Sequence, residues 1–117
     1  MITHKEDGLS ELSVRQLRDR RRRAARRAPD LETVIAGSLQ NQRRRCGKEG
    51  CRCARGELHG PYLYLSLRVG RRTQMVYVPA ELADEVGQAV TANAEAQAAL
   101  AEISAINLEL LRRGKLG

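Results

Sequence analysis

Four side chains able to ligate a metal ion fall within 14 residues in Cys46-x4-Cys51-x-Cys53-x5-His59, with Gly47, Gly50, Gly56 and Gly60 placed between and after them. No other feature of the chain restricts its fold as much. Three thiolates and an imidazole make a tetrahedral Cys3His set for zinc. Cys51 and Cys53 are two apart, so in an extended segment both side chains point the same way, and the glycines let the loop close around a shared ion. Lys48, Arg52 and Arg55 would partly offset the charge of three thiolates. The spacing is not that of a paired CxxC site, which leaves a second reading open: three reduced thiols and a surface histidine beside a glycine-rich turn. If the four ligands do close on one ion, no coordination position remains for water, and the metal is structural rather than catalytic.

A staple of this kind is what such a chain needs. Its 117 residues fit one domain, yet they include no Trp or Phe and only three Tyr, and much of the apolar share is Ala, which buries little area. No stretch approaches the roughly 20 apolar residues of a membrane span. The start MITHKEDGLS has no apolar signal core. We therefore expect a cytoplasmic protein with no membrane contact, whose thiols stay reduced; the odd cysteine count agrees with metal in place of disulfides.

The expected fold class is α+β, in the order α-β-β-β-α. Residues 1–12 read as a flexible leader and 13–117 as a single basic domain. Ser13-Val14-Arg15-Gln16 has the form of a capping box and opens a helix over 13–28 that Pro29 ends. A small antiparallel three-stranded sheet is expected over 36–79, with the metal loop joining its first two strands. Its clearest part is a hairpin: Pro61 to Val69 alternates at period two, Gly70-Arg71 forms a turn with glycine first, and Arg72 to Val78 returns. A long helix over 80–113 follows, with Pro79 at its start and Glu81, Asp84 and Glu85 where the helix dipole favours them. Its apolar stripe is read as Leu82, Val86, Ala89, Ala96, Leu100, Ile103 and Leu110, interrupted by Asn93 and Asn107. At 1.5 Å per residue it would extend about 50 Å, too long for one thin helix to cover. A homo-oligomer or hetero-complex formed through this helix is the expected consequence.

The net charge of +7 lies wholly in residues 1–60, which carry 15 Lys and Arg against 8 Asp and Glu. Arginine makes bidentate bonds to phosphate and stacks on bases, so an arginine-biased half points to DNA or RNA. The candidate contacts are Arg15, Arg18, Arg20, Arg22, Arg23, Arg26 and Arg27 on the first helix and Arg43, Arg44 and Arg45 before the first cysteine. An arginine run is also common on a plainly solvated face. The hairpin register pairs Leu63 with Val78, Leu65 with Val76 and Leu67 with Gln74 on an apolar side. Tyr64 with Tyr77, Ser66 with Met75 and Arg68 with Thr73 lie on the other. Tyr64, Arg68 and Tyr77 suit bases and phosphates, and cross-strand tyrosines equally suit ordinary sheet stabilisation.

The stretch CGKEGCRCARGELHGPYLYLSLR, followed by YVPAEL and then by Asn107, Glu109, Leu110 and Leu111, resembles an uncharacterised family of short bacterial and archaeal proteins. The likeness runs over about residues 37–111. That family carries a signature of the form CGKxxCxCxxGxxHGPYYYLS, then YVP and a long helix. Leu63 stands where Tyr is usual, and Met75 and Val76 replace more polar residues. The resemblance implies the fold, the ligand set Cys46, Cys51, Cys53 and His59, and an accessory role, for some members on mobile elements; it implies no activity.

Nothing supplies a third catalytic partner beside the Cys and His side chains, and the only carboxylates near the cluster are Glu49 and Glu57. The expectation is a non-enzymatic nucleic-acid-binding accessory protein with a structural zinc site, no catalytic residues and no small-molecule substrate. The competing expectation is a protein-interaction adaptor that dimerises or docks, through its C-terminal helix, on a larger DNA-processing enzyme such as a recombinase or transposase.

Overall fold

The structure, a computed structural model, describes residues 8–44, 56 and 58–117. The fold is α+β: helix α1 (Val14–Arg27), strands β1 (Gly37–Arg44), β2 (His59–Val69) and β3 (Arg72–Tyr77), and the long helix α2 (Ala83–Arg112). The chain divides into two compact units, residues 33–91 and residues 1–32 with 92–117. The 30 residues of α2 reach about 45 Å.

In the helical unit, α1 begins at the capping box the sequence announces. The Gln16 N–H donates to Ser13 Oγ at 3.0 Å and the Ser13 N–H to Gln16 Oε1 at 2.8 Å. Leu9, Leu17, Ile106 and Leu110 form the core, with Leu12, Val14 and Ala105 packed against it. Leu9 is buried in a 3-10 turn (Leu9–Glu11), so the packed chain starts before Ser13 and part of the expected leader is structural. The Arg113 guanidinium holds this turn, donating to the carbonyl oxygens of Leu12 at 2.6 Å and of Leu9 and Ser10 at 3.1 Å.

The buried stripe of α2 differs from the one read in sequence. Ala89, Ala96, Ala99, Ile106 and Leu110 are buried and Ile103 is half-buried, whereas Leu100 is 59% and Leu82 42% exposed. The stripe from Ala96 onward advances by three and four residues in turn, the seam of paired helices. Leu100 sits one residue, about 100°, away from it. The helix closes in a Schellman pair, Lys115 N–H to the Leu110 carbonyl at 2.8 Å and Gly114 N–H to the Leu111 carbonyl at 2.9 Å.

The second unit is an antiparallel meander in the order β1-β2-β3. Its hairpin has the expected register, Val69 opposite Arg72 through Tyr64 opposite Tyr77. Gly70 takes φ +64°, the left-handed conformation the first turn position demands. β1 lies on the other side of β2, with Gly37 opposite Leu67, Leu39 opposite Leu65 and Asn41 opposite Leu63. One sheet face therefore gathers Leu39, Leu63, Leu65 and Leu67. Leu65 and Val78 are buried, and the Ile35 N–H donates to the Ala89 carbonyl at 3.1 Å, tying the entry to β1 to the first turns of α2. The β1–β2 register shifts between Gln42 and Arg44. Gly60, at φ +113°, lies where a Cβ would fall 2.8 Å from the Gln42 carbonyl oxygen, a position closed to every other residue. No described helix is long and apolar enough to cross a membrane.

Candidate nucleic-acid interface

The eight arginines of α1 separate into two sets according to which side of the helix they occupy. On the packed side, Arg18 donates to the carbonyl oxygens of Lys115 at 3.1 Å and Gly117 at 2.9 Å. Arg21 donates to Asn107 Oδ1 at 2.8 Å and the Leu116 carbonyl at 3.0 Å. Arg27 lies 2.6 Å and Arg20 3.8 Å from Glu102, whose side chain is 13% exposed. These four arginines anchor α1 to α2 and to the residues that follow it.

On the outer side, Arg15, Arg22, Arg23 and Arg26 are exposed. Arg15, Arg22 and Arg26 fall within about 40° on the helix circumference, opposite Leu17 and Ala24. The row runs for about 16 Å, at roughly 1.5 Å per residue. Asp19 stands in the same row and pairs loosely with Arg22 at 3.6 Å, an exposed contact that leaves the face strongly positive.

The face of the sheet opposite its leucines carries Ser38 and Gln40 from β1, Tyr62, Tyr64, Ser66 and Arg68 from β2, and Thr73, Met75 and Tyr77 from β3. Every tyrosine of the chain is on this face. Tyr64 and Tyr77 meet edge to face with ring centroids 5.7 Å apart, and Tyr62 and Tyr77 do so at 6.4 Å. Tyr77 is 52% exposed, and Arg68, also exposed, donates weakly to the Arg71 carbonyl at 3.4 Å. Tyr62 is absent from the sequence-derived contact set because the hairpin pairing stops before it. Its signal was parity, an even position two before Tyr64 on an alternating strand.

Arg43 is exposed at the end of β1, and Arg44 lies opposite His59 across the β1–β2 ladder. Cys46, Cys51, Cys53 and Arg45 lie outside the described residues. Among the described residues, no group of three or more His, Cys, Asp or Glu side chains is placed to share a metal ion. Of the expected zinc ligands only His59 is described, at the first position of β2.

A family model described as a domain of unknown function (DUF6788) matches residues 14–88. The match takes in the arginine helix, which the signature resemblance over 37–111 leaves out, and ends before Asn107 and the residues that follow it. The chain matches no curated protein and no solved structure.

Proposed function

The chain belongs to the DUF6788 family, and on that premise we propose that it is a small nucleic-acid-binding accessory protein, without catalytic residues, that holds phosphates on the outer face of α1. The observation that carries this reading is the division of the arginines. A run that was merely solvated would not need half of its members bonded inward while three of the remaining four form one row and Arg23 flanks it. Arg15, Arg22, Arg23 and Arg26 have no described carboxylate closer than the loose Asp19 contact, so their charge is available to a polyanion. The row length of about 16 Å matches the axial rise of four to five nucleotides at about 3.4 Å each.

A structural zinc held by Cys46, Cys51, Cys53 and His59 completes the reading. The four ligand types within 14 residues, with Gly47, Gly50 and Gly56 between them, support it; of the four, His59 alone is among the described residues, opposite Arg44 across the β1–β2 ladder. When bound, such an ion contributes folding energy and no chemistry.

The test is salt-dependent binding to duplex DNA and to RNA. The parent should show a log-log slope of about −3 to −4, and changing Arg15, Arg22, Arg23 and Arg26 together to Ala should flatten it by about three units on every sequence. Changing Arg20 and Arg27 instead should loosen the α1–α2 contact and leave the slope of the folded protein nearly unchanged. Unaltered binding by the four-arginine variant at all salt concentrations overturns the proposal.

A second reading has its own support. Leu100, Leu108 and Leu111 are 59%, 43% and 58% exposed on α2, on a side away from its packed stripe, as an adaptor that dimerises or docks through this helix requires.

A further inference from the structure

We propose that the tyrosine face of the sheet is a binding site for unpaired nucleotides, so that the preferred ligand is single-stranded nucleic acid rather than a duplex. The inference rests on the nucleic-acid reading above but is carried by the other unit of the chain.

Three observations point to it. The chain has no Phe or Trp, and its three Tyr are all on the open sheet face while aliphatic residues alone fill the described core. A small protein short of apolar area gains most by burying an aromatic ring, at 150 Å² or more each. Tyr62 and Tyr77, at 38% and 52% exposed, make edge-to-face ring contacts. Rings in that arrangement keep surface free for a third aromatic plane.

The second observation is charge. The chain holds 14 Asp and Glu, yet none occurs in β1, β2, β3 or the Gly70-Arg71 turn, which together carry Arg43, Arg44, Arg68, Arg71 and Arg72. An antiparallel sheet open to water on one face ordinarily mixes charges of both signs there. This one presents no carboxylate and one cation, Arg68, with Ser38, Gln40, Ser66 and Thr73 as neutral donors and acceptors around the rings. Such a surface repels neither phosphate nor base and can hydrogen-bond base edges.

The third is shape. A sheet of three strands, about 10 Å across at the ordinary strand spacing, carries its rings on an open surface, whereas bases that remain paired expose only their edges in the grooves and keep their faces against stacked neighbours. Stacking on protein rings requires bases already free of their partners, as in a single strand, loop or bulge.

The absence of Trp makes the test direct, because all intrinsic tyrosine fluorescence arises from this face. Full-length protein is titrated with oligo(dT), oligo(U) and a mixed duplex of equal length. Both single strands should quench the emission and bind more tightly than the duplex, and their order decides between DNA and RNA. Tyr77→Leu, which keeps apolar bulk at an exposed position, should weaken single-strand binding about tenfold or more, while Tyr77→Phe should bind like the parent. Duplex binding equal to or tighter than single-strand binding overturns the proposal, as does unchanged single-strand affinity of Tyr77→Leu. If single-strand binding survives Tyr77→Leu and is lost in the four-arginine variant, the sheet assignment alone falls; if no nucleic acid binds, both readings fall.

Discussion

Arg113 donates to three backbone carbonyls of residues 9–12 and, through Nε, to Glu109 at 2.8 Å, with its side chain only 25% exposed. A positive charge near the C-terminus of α2 is favourable in its own right. Its removal leaves those carbonyls without the donor that ties the Leu9 turn to the helix end. Arg113→Ala should therefore lower the unfolding free energy by about 1.5–3 kcal/mol, read as a shift in the urea midpoint at unchanged slope. Arg113→Lys should recover little of the loss, since one ammonium cannot span the positions a planar guanidinium reaches. Asn107 is a related case. It interrupts the apolar stripe in the sequence because its amide oxygen receives Arg21.

At the scale of elements, α2 presents two faces with different demands. One is occupied from Ala96 to Leu110. The other repeats at four and three residues through Gln97, Ala101, Ser104, Leu108 and Leu111; these residues are exposed and carry no charge. An uncharged stripe of this length on a chain with 30% charged residues suits a partner helix. Sedimentation should give about twice the chain mass at tens of micromolar, and Leu108→Glu with Leu111→Glu should give a monomer with unchanged helix content, because neither side chain supports the core. A parent that stays monomeric at those concentrations removes self-association from the adaptor reading.

For the molecule as a whole, the decisive question is whether a metal ion is bound by the 45–58 segment and His59, between β1 and β2. Arg44 and His59 pair at its two ends, and a single ladder step at a register shift is a weak closure on its own. Freshly reduced protein should contain about one zinc per chain, and Cys51→Ser should lower both the metal content and the thermal midpoint. Chelation should loosen the β1–β2 end nearest Arg44 while leaving the helical unit, whose core is Leu9, Leu17, Ile106 and Leu110, protected from exchange. Well under half an equivalent of metal would remove the zinc from the account and leave the arginine and tyrosine surfaces standing.

What the sequence determined alone is what local physics settles. The Ser13–Gln16 box, the Gly70-Arg71 turn and the whole hairpin register follow from side chains a few residues apart, because a cap, a turn type and a two-residue period need no distant partner. The count of arginines was legible in the same way, but their allocation was not. Whether Arg20 meets Glu102 or a phosphate depends on which side of α1 faces α2, and that is decided by Leu17 finding Ile106 and Leu110 almost 90 residues away. The pairing of β1 with β2, which completes the open face around Tyr62 and Tyr64, is likewise a long-range choice, since the polar pattern of residues 37–44 does not select a register. The stripe of α2 shows the boundary between the two. Its spacing permits Leu100 as readily as Ala99, and only the side on which α1 docks, where Arg20 and Arg27 reach Glu102, leaves the leucine outside.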